Sequence, residues 1–510
     1  MNCKSWCRSL LAAAALLLAA APALAFDRAD IDAAVAARLD VAVADLQAWV
    51  RIRSITADGD PHRADKTALL QAVVQRAQQL GLDARLLPGD QVAVVELGQG
   101  ADALGILVHG DVVPAGEAGR WQQPPFSGAL VDGHVWGRGS LDDKGPLVAS
   151  LYAMAALKDA GLTLTRPVRL IVGTSEENMD WRDLDAVREA GLVPAEGWTA
   201  DAAFPVIHAE KSYLDAAVLF SGPADPVLRG FLGGVAPNSV PETATAVLVG
   251  APQVLTGVLE PAIAAYSAEG VRFSLAAAAS GIELTAHGKA AHGARPDAGV
   301  NAITHLAQLL HGQRAALGIE PGSANGRALA FIAEQIGLET DGATLGLRHS
   351  VPKLGDSTVN LGRLTQTRQG LRANLNIRVP RGLDLAAQGI RLRAALAPYG
   401  GRLQVVEGKE ALWVEPDAPL VRALLDVYRQ FTGEDAAPLA IGGTTYAKAF
   451  PNFVAFGMGF PGGPMLAHAE NERLAVSDLQ RGMRIYLGAL ARLAAGVTLT
   501  PVAASNGDEP

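Results

Sequence analysis

Apolar residues recur at three- and four-residue steps near the start of the chain, at Ile31, Val35, Leu39, Val43, Leu46 and Val50. That spacing predicts an amphipathic helix over 28–53, and a second helix over 64–80 stopped by Gly81. Short apolar runs then alternate with helical stretches. Residues 105–108 and 168–172 read as buried strands, with a helix predicted at 146–158 between them. Continuous apolar strands separated by helices predict a largely parallel sheet covered on both faces.

The pattern changes after about residue 211. Residues 212–220, 281–287 and 370–380 alternate like half-buried antiparallel strands, and helices are predicted at 298–312 and 384–397. The stretch 222–280 has few recognisable features. From about 410 the helix-rich pattern returns, with a helix near 417–432 and a strand at 453–457. Residues beyond 498 are small and polar and read as a disordered tail, 499–510.

The first 25 residues have a different character. Lys4 and Arg8 precede an Ala/Leu run from Leu10 to Ala21, and Ala23-Leu24-Ala25 places small residues before Phe26. This is the pattern of a cleaved secretory signal, and the run is too short to span a bilayer comfortably. A periplasmic or secreted protein without membrane attachment after cleavage is expected. Both cysteines, Cys3 and Cys7, lie in this segment. The mature chain would therefore have no thiol nucleophile, disulfide or thiolate metal ligand.

Composition narrows the function classes. The 510 residues include 43 Lys+Arg against 52 Asp+Glu, a net charge of −9, which argues against a nucleic-acid partner that needs a basic stripe. Aromatics at 5% weaken a base-stacking or carbohydrate-platform reading.

Polar residues follow both predicted parallel strands: His109-Gly110-Asp111 after the first, Thr174-Ser175-Glu176-Glu177 after the second. The crevice beyond the carboxyl ends of parallel strands is where such folds bind ligands. Adjacent carboxylates there need a compensating positive charge, and a metal ion is the simplest. Three further patches fit: the glycine-punctuated loop 137–145 with Asp142 and Asp143, Asp201 before Phe204-Pro205, and His468 in Ala467-His468-Ala469-Glu470-Asn471-Glu472. Imidazole plus carboxylate without sulfur suits zinc with open positions, or cobalt or manganese.

His109-Gly-Asp111-Val-Val-Pro114, Gly137-Arg-Gly-Ser-Leu-Asp142-Asp143-Lys144-Gly145-Pro146, Thr174-Ser-Glu176-Glu177-Asn178, Asp201-Ala-Ala-Phe-Pro205 and His468-Ala-Glu-Asn-Glu472 stand in one order along the chain. In that order they resemble the motifs of the di-zinc superfamily of carboxypeptidase G, aminoacylase and succinyl-diaminopimelate desuccinylase. The closer likeness, over about 30–495, is to PepV-like and carnosinase-like dipeptidases. The resemblance implies two zinc ions per subunit, His109 and Asp201 on one, Glu177 and His468 on the other, and Asp142 bridging. It implies Asp111 as acceptor of the second ring N–H of His109. It implies Glu176 as general base and acid toward a metal-bridged hydroxide, and a cis peptide between Asp142 and Asp143. His292 would polarise the scissile carbonyl, Arg378 would clamp the substrate carboxylate, and Asn238 would help hold substrate. Gly442 and Gly443 would allow close backbone approach to the pocket. His208 reads as structural.

The expected fold class is α/β: a mixed, mostly parallel sheet flanked by helices in the catalytic domain, residues 26–211 plus 405–498, with an inserted α+β lid, residues 212–404. The expected activity is hydrolysis of dipeptides or short peptides by a monomer or homodimer. N-acyl-amino-acid deacylation and carboxypeptidase action are the alternatives within the superfamily. A non-catalytic binding protein is disfavoured by the presence of both Glu176 and Asp142.

Overall fold

The computed structural model describes residues 26–499 apart from Asp58 and Met465. The targeting segment expected over 1–25 and residues 500–510 of the expected tail lie outside the described residues. Leu499, expected in that tail, instead packs in the core, and its carbonyl accepts a hydrogen bond from Gln430 at 3.2 Å.

The expected helix over 28–53 is two helices, Arg28–Ala36 and Leu39–Val50. Asp27 caps the first by accepting from the N–H groups of Ala29 and Asp30. The break at Ala37–Arg38 lets the first helix lie on Val476–Ala495 while both reach Lys144–Asp159. Lys144–Asp159 is buried from Lys144 through Leu157, apolar nearly all round, and forms the spine of this core.

Among the described residues, nine strands form the first sheet. Its centre is parallel, in the order Val168–Gly173, Leu104–His109, Glu196–Thr199, Phe453–Ala455. Antiparallel strands flank it: Ala93–Leu97 and Asp83–Leu86 on one side, Ile207–Glu210 and Leu412–Trp413 on the other. The two longest central strands are buried at every position, which is why they read as unbroken apolar runs.

A second sheet of eight antiparallel strands has its own core. Arg402–Lys409 spans the expected boundary at 404/405 and belongs to this second sheet, paired with Tyr213–Phe220. The chain therefore crosses between sheets at Lys211–Ser212 and again at Glu410–Ala411. The crossings are adjacent, because Glu210 pairs with Leu412 on one side and Tyr213 with Lys409 on the other. Tyr213–Phe220 is buried throughout, not half-buried as its alternation predicts. Its even positions enter the second core, while Tyr213 lies under the Arg378 guanidinium. The helix expected from 298 begins at Ala302, capped by Asn301, because Val300 is still paired with Lys289. The featureless stretch 222–280 holds the strands Leu228–Gly233, Thr243–Val249 and Arg272–Ala278 and the helix Pro252–Ala265.

Candidate metal centre and active site

Three neighbouring parallel strands deliver the first set of side chains at their carboxyl ends. His109 is the last residue of Leu104–His109. Glu176 and Glu177 follow Val168–Gly173 on one side, and Asp201 follows Glu196–Thr199 on the other. Asp142 and Asp143, joined by a cis peptide bond, precede the helix Lys144–Asp159. His468 comes from a loop near the C-terminus, with φ 63°.

That loop is brought in by strand pairing and one buried carboxylate. Arg473–Ala475 pairs with His134–Trp136, and the Gly137 N–H donates to the Glu472 carbonyl at 2.9 Å. The Glu472 side chain, fully buried, accepts from the N–H groups of Gly139 (3.0 Å), Leu141 (2.9 Å) and Asp142 (3.1 Å) and from Arg138 Nη1 (2.5 Å). Glu472 thus fastens the His468 loop to the loop that carries Asp142. Its presence in the last motif was the only sequence signal, and nothing there separated its role from that of its neighbours.

The ligand atoms converge in two groups that share Asp142: His109, Asp142 and Asp201, and Asp142, Glu177 and His468. Asp142 Oδ1 lies 3.0 Å from His109 Nε2, and Asp142 Oδ2 lies 3.2 Å from His468 Nε2. Asp201 Oδ2 is 3.7 Å from His109 Nε2, and Glu177 Oε2 is 3.0 Å from His468 Nε2. All five residues expected as ligands are therefore together.

The electrostatics follow from crowding acids in a buried place. Burial, then Asp201, Glu177 and Asp111, push the Glu176 carboxyl well above its ordinary value. Burial pushes Glu177 up to about 7 against the pull of His468. His468 itself is raised to about 12, first by Glu177 and then, against the cost of burial, by Asp142. Burial opposes the charge on His109, yet Asp111, Asp142 and Asp201 hold its imidazole well above the ordinary value.

Asp111 takes a different part from the one expected. The His109 Nδ1 partner is the main-chain carbonyl of Asp111 at 2.9 Å, whereas its carboxylate is 3.5 Å away. The carboxylate accepts from Thr56 Oγ1 (2.6 Å) and from the N–H groups of Glu176 (3.3 Å) and Glu177 (3.2 Å). A carbonyl is an acceptor only, so it still fixes the proton on Nδ1 and leaves Nε2 facing Asp142.

Two buried residues missed in the sequence complete the floor. Asp183 accepts from the N–H of Thr174 (2.7 Å), Ser175 Oγ (2.6 Å) and the Tyr446 hydroxyl (2.7 Å), ordering the turn that leads to Glu176. A Cβ on Gly173 would stand 2.4 Å from Asp183 and 2.5 Å from Tyr446, so only glycine leaves room for that bond. Tyr446 also meets the His109 ring edge-on.

The second sheet supplies the remaining expected residues. Arg378 is buried, with Nη1 donating to Thr444 Oγ1 (2.8 Å), Nε donating to Asn376 Oδ1 (3.0 Å) and its guanidinium 4.4 Å from the Tyr213 ring centre. Among the described residues no carboxylate pairs with it. Burial lowers it to about 10, so it stays charged at neutral pH. His292 Nδ1 accepts the Ala294 N–H at 3.1 Å. Burial, then Arg378, His468 and Arg295, hold His292 below its ordinary value. Asn238 is exposed, and its carbonyl accepts the Gly293 N–H at 2.7 Å. Gly442 faces Ala294 and Lys211, but a Cβ there would meet them at 3.7 and 3.9 Å, ordinary contact. At Gly443 the nearest neighbour to such a Cβ is Ile441, at 3.0 Å. His208 is buried and bonded to the Val414 carbonyl at 2.7 Å, a structural role.

Solved structures share this architecture. Human carnosine dipeptidase 1 superposes with a TM-score of 0.55 at 14% identity, covering 91% of this chain and 98% of that one. Dug1p, a di-peptidase from Saccharomyces cerevisiae, gives 0.57 at 14%, covering 92% and 99%. Among sequence relatives, “Putative dipeptidase YtjP” of Bacillus subtilis (strain 168) is 31% identical over 470 residues, 89% of this chain and 97% of the relative. “Putative dipeptidase SSP1012” of Staphylococcus saprophyticus is 32% identical over 406 residues, 78% and 84%. The model of peptidase family M20/M25/M40 matches residues 105–492, a span running from the His109 strand past His468 into the last helix. A match over more than half of the chain settles membership: this protein is an enzyme of peptidase family M20/M25/M40.

Proposed function

We propose that this enzyme hydrolyses the peptide bond of dipeptides and other short unblocked peptides with the help of two divalent metal ions, zinc first among them. The observation that carries the reading is the pair of oxygens on Asp142, one turned to His109 and the other to His468. The surroundings fit the ions. Asp142, Glu176, Glu177 and Asp201 crowd together with only imidazoles for compensation, and Oε1 of both glutamates is buried without a hydrogen-bond partner. The donors are nitrogen and oxygen only, a set that suits zinc, cobalt or manganese. His109 and Asp201 would hold one ion, Glu177 and His468 the other, and Asp142 both. Ions bound there supply Lewis-acid polarisation of the scissile carbonyl and make a water molecule more acidic.

The chain's own groups do the rest. Glu176, a buried carboxyl with an elevated proton affinity, takes the proton of the attacking water and passes it to the leaving amine. His292 is neutral near pH 7, and because its Nδ1 accepts the Ala294 N–H, its proton sits on Nε2. That N–H is the donor toward the developing oxyanion. Arg378, charged, buried and paired with no carboxylate among the described residues, receives the substrate's C-terminal carboxylate on its Nη2 edge. Asn238 contributes a polar contact at the rim. Residues 212–409 act as a lid hinged at the two adjacent crossings, which limits substrate length. Residues 1–25 direct export, so the enzyme works in the periplasm or outside the cell.

The test is a panel of dipeptides, matched tripeptides and N-acetyl amino acids, assayed as purified, after chelation, and after zinc is restored. Zinc-dependent cleavage of free dipeptides is expected. Cleavage restricted to acetylated substrates would replace this reading with deacylation, and full activity after metal removal would end the metal mechanism.

A further inference from the structure

Asn360 lies on the strand Thr358–Thr367, directly across from Asn376 on the strand that ends at Arg378. It is 1% exposed. Its Nδ2 donates to the carbonyls of Pro237 (3.1 Å) and Ser239 (2.8 Å), so both of its hydrogens are engaged by the peptide groups that flank Asn238. The same loop is laced to the His292 segment. The Asn238 carbonyl accepts from Gly293 at 2.7 Å, the Val240 N–H donates to the Ala291 carbonyl at 2.8 Å, and Ser239 bridges His292. In the other direction, Asn376 Oδ1 accepts from Arg378 Nε at 3.0 Å. There is no slack at this junction: a Cβ on Gly362 would stand 2.1 Å from the Pro237 carbonyl.

We propose that Asn360 is a positioning residue that fixes the separation between His292 and Arg378, and so sets the length of peptide the enzyme accepts. The inference rests on the roles given above to those two residues. A side-chain amide suits the task because one planar group offers two donors at a fixed angle. In a dipeptide, the scissile carbonyl and the terminal carboxylate belong to adjoining residues. A tripeptide adds about 3.3–3.6 Å when extended. A His292 segment held rigidly to the Arg378 strand therefore matches one span and misses the other.

The test compares wild type with Asn360→Ala, which removes both donors, and Asn360→Ser, which keeps one. For each, kcat and KM are measured on a dipeptide and the matching tripeptide, alongside zinc content and thermal unfolding. Misplacing a catalytic donor by about 1 Å can cost about a hundredfold in rate. The expected result is a dipeptide kcat lowered at least about tenfold in Asn360→Ala with KM changed far less. The tripeptide-to-dipeptide ratio of kcat/KM should rise about tenfold, the serine variant should fall between, and zinc content should stay at the wild-type level. An unchanged ratio, or loss of both substrates in proportion, overturns the proposal. If the alanine variant does not accumulate as folded protein, the serine variant decides by the same ratio. A wild type that ignores dipeptides altogether would instead overturn the function on which this inference depends.

Discussion

The Glu472 carboxylate bonds Arg138 Nη1 at 2.5 Å through one oxygen, while its other oxygen accepts three backbone N–H groups, those of Gly139, Leu141 and Asp142. Both partners of the ion pair are buried. The pair therefore does more than neutralise two charges. It fixes the loop from which the shared acid of both ligand groups projects.

Glu472→Gln keeps the shape but leaves Arg138 without its anion. Breaking one side of a buried ion pair costs about 3–5 kcal/mol. Denaturant unfolding of the metal-loaded variant should show a loss of that order, accompanied by weaker zinc retention during dialysis. Wild-type stability together with wild-type zinc retention would show that Glu472 is not what holds the loop.

Glu176→Gln separates proton transfer from metal binding. Glu176 lies beside both ligand groups, but neither group uses its oxygens. General acid–base assistance is worth about 10²–10⁴-fold in rate. The variant should lose kcat on that scale while binding two zinc ions per chain. Equal loss of zinc and activity would reassign Glu176 as a ligand.

How much of this was legible in the sequence depends on what each residue needed. His109 ends one buried parallel strand and Glu176 and Glu177 follow another, and unbroken apolar runs reveal both strands without a partner being known. Their convergence was therefore readable. Asp183 and Tyr446 were not, because they meet only through the packing of two distant segments. The Asp111 carbonyl was also out of reach, since a sequence shows which side chain is present but not that its main chain will be nearer. The edges of the lid blurred for a similar reason. Arg402–Lys409 is assigned by its pairing with Tyr213–Phe220, a long-range contact without a local signal.

Removing the metal should reverse the usual pH dependence of stability. In the metal-free protein Glu177 is raised from 4.5 to about 7, and His468 from 6.5 to about 12. A group whose folded pKa exceeds its unfolded one binds more protons when folded, so its stabilisation is complete at low pH and is lost as pH rises. For Glu177 that loss spans roughly pH 4.5 to 7, and for His468 it begins near 6.5 and continues upward. The unfolding midpoint of chelated protein should fall steadily from pH 5 to pH 9. Zinc should abolish the fall, because the ion binds the deprotonated forms. A chelated protein that grows more stable over this range would contradict the crowding of acids at Asp142.

Arg378→Lys tests whether the second sheet reads the substrate's terminal carboxylate. Nε and Nη1 are occupied by Asn376 and Thr444, and the flat guanidinium rests on Tyr213. Those contacts aim the remaining edge, and a lysine keeps the charge but loses both the fork and the ring contact. Hydrogen bonds to charged groups contribute about 1.5–3 kcal/mol, which corresponds to about 10- to 100-fold in kcat/KM. The loss should appear on a dipeptide with a free carboxylate and largely vanish on the corresponding dipeptide amide, which never used the charge. If the amide and the free acid lose activity equally, Arg378 supports the sheet without touching the ligand. The carboxylate must then be held elsewhere, and the unpaired charge beneath it would need a different explanation.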